Sequence, residues 1–334
     1  MAAARTVRTA ADLLREADAV LFAGTGFAAT PIPTGFSPLD EHLGGGLRAG
    51  ELTLLCGVPG LGKTLLALQV ARNVAAAGGR SVVVSYEHGE GQVLERLIAL
   101  EAGLLAGLDP VDVEDAVPLS DVRHSLQADG RPTGLTQRHG SRLWAAALDR
   151  IGSYGERLEV VCGSGRVHGL ARLRELAETA TDRVMVVDYL QKVAAPEGAR
   201  TEDERTAAVA EGLKDLALET GTAALAVVAA DKHGFEGRTR LKHLRGSTAL
   251  AYEADVVLLL NDKYDILARH HLMYGAVGTE RFRDYVVCSI EKNRGGLDGI
   301  DLEFRKHFDQ ARFDPAGSVV AESLIDDRIH LDHA

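Results

Sequence analysis

The chain has 334 residues, 46% of them hydrophobic and 25% charged, and a formal net charge of -11. That composition fits a soluble globular protein with material for a large core. It excludes a disordered chain, and no apolar run approaches the ~20 residues that a membrane span needs. The acidic balance also excludes nonspecific coating of nucleic acid, so any such contact has to be local.

The first elements in chain order are a helix and a linker. Ala10 to Leu21 spaces Leu13, Leu14, Ala17, Val20 and Leu21 at helical intervals, and the loose stretch GTGFAATPIPTG follows. No apolar segment of the secretory kind opens the chain, which predicts a cytoplasmic protein. From Glu51 an apolar run, a glycine loop, a helix over Lys63 to Ala77 and the β-branched run SVVVSYE form a β-loop-α-β unit. Gly103 to Gly140 holds GLDPVDVEDAVPLSDV and ADGRPTGLTQRHG, whose prolines, glycines and polar residues predict an insertion with some short helix.

Strand LEVVCG, a helix near Leu170 to Thr179, strand RVMVVDYL, a helix near Thr206 to Thr220 and strand AALAVVAA then alternate. Such alternation predicts an α/β fold with a mostly parallel central sheet flanked by helices. Further strands are expected at ADVVLLLN, DYVVCSIEK and IDLEFRKH, before a polar tail. The predicted division is an N-terminal helix and linker over 1–30, one main domain over 31–310 with the insertion near 103–140, and a C-terminal tail over 311–334. Cys56, Cys162 and Cys288 stand far apart in apolar surroundings without C-x-x-C spacing, which predicts buried reduced thiols.

The strongest chemical signal is CGVPGLGKT, which places Gly57, Gly62, Lys63 and Thr64 in the order G-x-x-x-x-G-K-T between a strand and a helix. A phosphate-binding loop needs glycines for close backbone approach, a lysine for the β- and γ-phosphates and a hydroxyl for Mg2+. Gly57, Pro59, Gly60, Gly62, Lys63, Thr64 and Leu65 are the candidate nucleotide-binding residues, which predicts ATP and Mg2+ as ligands. Asp188 ends the run VMVV at the carboxyl end of a strand, where a Walker B aspartate acts on Mg2+ through water. Glu87 ends the neighbouring run and is the candidate general base, with Glu90 as its rival.

A wider pattern carries a resemblance. The run IPTGFSPLDEHLGGGLRAGELTLLCGVPGLGKTLLALQVA, the YE after the second strand, VVDYLQ, LRGSTALAYEADVVLLL and EKNRGG occur in the order found in the motor domain of DnaB-type replicative helicases. From about residue 31 to about residue 309 the chain resembles that RecA-like P-loop NTPase domain, and it resembles the RadA and KaiC branches more weakly. The resemblance implies that Lys63 and Thr64 bind nucleotide and Mg2+, that Glu87 is the catalytic base and that Asp188 is the Walker B acid. It also implies that Lys292 and Arg294 reach the nucleotide site of a neighbouring subunit, in a ring that usually has six members.

Two positions depart from that pattern. Val228 and Ala229 stand where the family carries a serine and a glutamine that sense γ-phosphate, and LRGST keeps Arg245 and Ser247 but puts Gly246 and Thr248 at the other two places. The family's amino-terminal collar domain is not expected, since about thirty residues precede the core.

Asp231 to Arg245 holds Lys232, Arg238, Arg240, Lys242 and Arg245 against Asp231 and Glu236, a local +3, with His233, His243 and the aromatic Phe235. Repeated around a ring, such loops would track single-stranded DNA by its phosphates. The N-terminal helix either covers its own domain or docks on a neighbouring subunit. A loader or other protein partner has three places to bind: the insertion, the stretch Lys263 to Arg283 with His270–His271, and the acidic tail near Asp326 and Asp327. The function expected is Mg2+-dependent ATP hydrolysis by a ring acting on single-stranded DNA. The alternative is a KaiC-like regulatory ring that organises protein partners without nucleic acid.

Overall fold

The computed structural model describes residues 8–22, 30–107, 117–126, 142–163, 169–179, 183–196, 198–230, 237–244, 247–268 and 279–325. Helix α1 spans Ala10–Phe22, and its start is fixed by Thr9, whose hydroxyl accepts from the Asp12 amide while its own amide and hydroxyl donate to the Asp12 carboxylate. Its Leu14 and Phe22 are exposed. Among the described residues no helix is long and apolar enough to cross a membrane.

The remaining helices are α2 (Ser37–His42), α3 (Lys63–Ala76), α4 (Glu90–Ala106), α5 (Leu119–Leu126), α6 (Arg142–Tyr154), α7 (Leu170–Glu178), α8 (Glu202–Thr220), α9 (Ser247–Glu253) and the single turn α10 (Lys263–Ile266). The strands are β1 (Leu52–Gly57), β2 (Arg80–Ser85), β3 (Leu158–Cys162), β4 (Arg183–Asp188), β5 (Ala223–Ala229), β6 (Val256–Asp262), β7 (Tyr285–Asn293), β8 (Ile300–His307), β9 (Arg312–Phe313) and β10 (Ser318–Val319). They form one sheet in the order β10-β8-β7-β6-β1-β5-β4-β2-β3, with β9 on β8.

Every neighbouring pair from β3 across to β6 is parallel, and β7, β8, β9 and β10 add antiparallel. Parallel strands covered on both faces must be apolar throughout, and β1 and β4 are buried at every residue. Alternate side chains of the sheet feed two cores. Leu55, Val83, Val186 and Leu225 pack with α2, α3 and α4, while Leu54, Val84, Val187 and Ala226 pack with α7, α8 and α9. The result is the expected mostly parallel α/β fold.

Three boundaries differ from the sequence reading. Helix α8 begins at Glu202 rather than near Thr206, because Thr201 accepts from the Glu204 amide and Glu204 accepts from the Thr201 amide, a reciprocal cap. Helix α4 carries regular structure past Gly103, the expected start of the insertion. That glycine sits against Gln310 and Arg312, whose side-chain atoms would lie 2.6 and 2.8 Å from an added Cβ. Of the insertion, residues 108–116 and 127–141 lie outside the described residues. The polar tail is structured as far as residue 325: Phe313 is fully buried, β10 pairs with β8, and Leu267 and Leu324 form a bridge.

The thiols are free; Cys56 and Cys288 are buried, and Cys162 is half-buried. A buried pair joins α3 to α4, where Arg72 donates to both carboxylate oxygens of Glu101. Breaking such a pair strands a charge, so it fixes how those helices meet.

Candidate nucleotide site

Parallel strands deliver their next residues to one edge of the sheet, and there the loop after β1 meets the ends of β2, β4 and β5. Pro59, Gly60, Gly62, Lys63 and Thr64 from the loop, Glu87 and His88 after β2, Asp188 and Tyr189 at the end of β4, and Val227 and Ala229 of β5 line a cavity of about 280 Å³. Ser85 of β2 is in register with Asp188 of β4, so the adjacent strands bring the two predicted carboxylates, Glu87 and Asp188, to one place. Glu90 is the first residue of α4, is exposed and does not line the cavity.

The loop closes as a phosphate cradle requires. Gly62 caps α3 in the left-handed region, φ 80°, and an added Cβ would stand 2.7 Å from ring atoms of both Phe308 and Phe313. Gly57 does not line the cavity; its missing side chain lets the loop leave β1 beside Leu260, whose carbonyl oxygen would be 2.8 Å from a Cβ. The Leu65 side chain packs into the core, and Leu65 does not line the cavity. Lys63 donates to the Val58 carbonyl oxygen at 2.8 Å. Burial lowers its pKa, and the Cys56 thiol, Asp188 and Glu87 oppose that shift.

Asp188 is buried, and its Oδ1 has no hydrogen-bond partner among the described residues. Burial pushes its carboxyl up to about 6; Thr64 and Lys63 pull it down, whereas Glu87 pushes it up. A buried orphan carboxylate oxygen beside the Thr64 hydroxyl is the donor chemistry that Mg2+ takes, so these two residues fit the ion.

His88 is the residue that the sequence reading missed. A ring nitrogen of His88 and carboxylate oxygens of Glu87 and Asp188 all lie within 4.8 Å of one another. Arg96 of α4 stands 3.3 Å from His88 Nε2, and since a guanidinium only donates, the contact favours a ring whose Nε2 accepts. Burial and then Arg96 lower the His88 pKa, in agreement. A metal ligand at Nε2 would have to displace Arg96. The available signal was an imidazole directly after the strand-end glutamate.

Of the two expected sensor positions, Ala229 lines the cavity and Val228 does not. Val228 is fully buried in the core on the far face, and the residues of β5 that face the cavity are Val227 and Ala229. Neither has a polar side chain. The amide of Gln191 brackets the strand end, donating to the Ala229 carbonyl at 3.1 Å and accepting from its N–H at 3.3 Å.

The predicted DNA-contacting set divides. Arg238 is buried, paired with Asp301 and donating to Ser289 Oγ at 3.1 Å. Both contacts are made by its Nη2, to the Asp301 carboxylate of β8 and the Ser289 hydroxyl of β7. Arg240 is half-buried and pairs with Glu291 at 2.6 Å. Lys242 is exposed. Lys232, His233, Phe235, Arg245 and Gly246 lie outside the described residues, as do His270–His271, Asp326 and Asp327.

Lys292 and Arg294 lie at the opposite edge of the sheet from the cavity. Lys292 is in register with Val257 at the start of β6, and the Arg294 amide donates to the Asp255 carbonyl at 2.9 Å, just before that strand. A strand of the length of β1 spans ~20 Å, beyond the reach of either side chain. The two cations therefore stand away from the cavity of their own chain.

Known proteins share this sequence pattern and this fold. The profile of the DnaB-like helicase C terminal domain matches residues 31–107 and 166–314. The replicative DNA helicase DnaC of Bacillus subtilis strain 168 is 27% identical over 305 residues, 86% of this chain and 59% of that protein. The DNA repair protein RadA of Mycobacterium tuberculosis strain H37Rv is 32% identical over 169 residues, 44% of this chain and 35% of RadA. The chain thus spans between a third and three-fifths of the length of these relatives. Among solved structures, that of a DnaB-like replicative helicase, described with its interactions with primase, superposes with a TM-score of 0.66 at 17% identity. The match covers 92% of this chain and 67% of that one, which shows the fold.

Proposed function

The chain belongs to the DnaB-like helicase C terminal domain family, and from that premise we propose that it is a ring-forming, Mg2+-dependent ATPase motor acting on single-stranded DNA. The observation that carries the reading is the separation of the phosphate cradle from Lys292 and Arg294 on opposite edges of one sheet. Cations so placed serve a nucleotide only when a second copy brings them to it, which makes hydrolysis depend on assembly.

In the reading proposed, the backbone amides of the Pro59–Thr64 loop hold the triphosphate, and Lys63 exchanges the Val58 carbonyl for phosphate oxygens. Thr64 and Asp188 would hold Mg2+, which when bound would supply positive charge against the developing charge of the phosphates. Glu87 takes the proton of the attacking water, and the neutral His88 beside it adds no competing cation. Arg294 and Lys292 of one subunit complete the site of the next.

For DNA, the reading rests on Lys242 together with Lys232 and Arg245, since Arg238 is internal. The exposed Leu14 and Phe22 of α1 support docking of residues 1–30 on a neighbouring subunit over covering their own domain. The same reading includes a six-membered ring, a loader or other protein partner on the insertion, and a cytoplasmic setting. A second reading, a KaiC-like regulatory ring without nucleic acid, draws support from the apolar Val227 and Ala229 where a polar γ-phosphate sensor would face the cavity.

Steady-state ATP hydrolysis with and without single-stranded DNA at low salt separates the two, with Lys63→Ala as the blank. Stimulation that fades as salt rises and is lost in Arg245→Ala supports the motor. Hydrolysis indifferent to DNA, with assembly still dependent on ATP, supports the regulatory ring.

A further inference from the structure

Arg294 does not hang free at the sheet edge. Its Nη1 donates to Asp255 Oδ1 at 3.0 Å, its Nη2 donates to the Tyr252 carbonyl, and its backbone amide donates to the Asp255 carbonyl at 2.9 Å. Asp255 is itself fixed from behind. Its Oδ2 accepts from the Leu52 amide at 2.8 Å and from Lys214 Nζ at 2.7 Å, and its own amide donates to the Leu52 carbonyl at 2.9 Å. Lys214 is pinned in turn by the Gly50 carbonyl at 2.9 Å.

The side chains differ sharply in exposure. Asp255 is 7% exposed and Lys214 13%, while Arg294 is 48% exposed. The carboxylate is therefore an internal anchor bolted to the first residue of β1, and the guanidinium is its outward half. A guanidinium has five N–H donors, and the two contacts to Asp255 and Tyr252 leave others for an anion. Lys292 is seated on the same support, donating to the carbonyls of Ala251 and Ala254 around the end of α9.

We propose that Asp255 is the positioning residue for the trans-acting cation: with Lys214 as its buried counter-ion, it fixes the direction in which Arg294 is presented to the nucleotide of the next subunit. The proposal rests on the reading that Arg294 acts in trans. Long arginine side chains lose much rotamer freedom when they order, and a fixed salt bridge at the base removes that loss before the neighbour arrives. The anchor also connects the two edges of the sheet. Asp255 is locked to Leu52 at one end of β1, and the phosphate loop leaves from Gly57 at the other.

The test uses Asp255→Asn, Arg294→Ala and Lys63→Ala in the full chain. Asp255→Asn should bind nucleotide in its own cavity within about twofold of the parent, with KM little changed and kcat at least about tenfold lower. Mixed with Lys63→Ala, which keeps an intact Asp255 and Arg294, it should recover activity, because Lys63→Ala subunits then serve the sites of Asp255→Asn subunits. Arg294→Ala mixed with Lys63→Ala should recover activity in the same way. A kcat within about twofold of the parent for Asp255→Asn, or recovery by Arg294→Ala but not by Asp255→Asn, overturns the positioning role. No recovery by Arg294→Ala overturns the trans reading itself. If Asp255→Asn unfolds, as loss of nucleotide binding would reveal, Asp255→Glu carries the test: it keeps the charge for Lys214 but moves the anchor by one methylene, and the same loss of kcat with recovery in the mixture is expected.

Discussion

Lys63 donates its ammonium to the carbonyl oxygen of Val58, 2.8 Å away, so the phosphate loop closes on its own lysine. In the function proposed, nucleotide replaces that bond with bonds to charged phosphate oxygens, which are worth more. Lys63→Ala should weaken ATP binding by roughly tenfold to a hundredfold, the range that loss of a hydrogen bond to a charged group implies. Titration with a fluorescent ATP analogue measures it; unchanged affinity would remove Lys63 from the site.

Glu87 lines the cavity and Glu90 does not. Glu87→Gln should therefore retain ATP binding and lose hydrolysis by about 10²- to 10³-fold, the scale of general-base loss, while Glu90→Gln should hydrolyse within about twofold of the parent. Single-turnover hydrolysis with saturating protein decides between the two carboxylates. The reverse ranking would exchange their roles.

Gly62 combines a left-handed backbone, φ 80°, with ring atoms of Phe308 and Phe313 that would sit 2.7 Å from a Cβ. Gly62→Ala should destabilise the fold by about 2 kcal/mol or more through strain and overpacking. Urea unfolding measures this, and a parent-like midpoint would show that the two rings yield without penalty.

Arg238 is buried against Asp301 and Ser289. Arg238→Met should cost about 3 kcal/mol by stranding the carboxylate, and adding Asp301→Asn should return part of it. The salt dependence of single-stranded DNA binding should keep its slope, because no phosphate contact is lost. A shallower slope in Arg238→Met would return this arginine to the DNA-contacting set.

Asp314 gives the fold an acid-sensitive contact. Burial alone would raise its pKa, but hydrogen bonds from His307 and Arg312 outweigh it and hold the carboxyl at about 2. A carboxyl depressed below its unfolded value stabilises the fold above about pH 4 and loses that contribution as pH falls toward about 2. Asp314→Asn should be less stable than the parent by roughly 1 kcal/mol at about pH 6, a figure reduced for a side chain 35% exposed, and the gap should close near about pH 2. Melting curves at the two pH values check the sign.

The sequence by itself determined what short-range rules decide. The G-x-x-x-x-G-K-T spacing, the β-branched runs and the strand-end positions of Glu87 and Asp188 are legible because backbone geometry and strand burial act over a few residues. Only the tertiary structure decided which side chains face each other. The pleat turned Val228 into the far core and Val227 toward the cavity, a one-residue change that alters the face completely. Sheet order set Asp301 and Ser289 around Arg238, converting a charge that reads as exposed into an internal one. It also put β2 beside β4, which brought His88 to Asp188, and β6 beside β1, which carried Arg294 to the edge away from the cradle. Pairings between residues far apart in sequence depend on how the whole chain closes, and no local spacing records them.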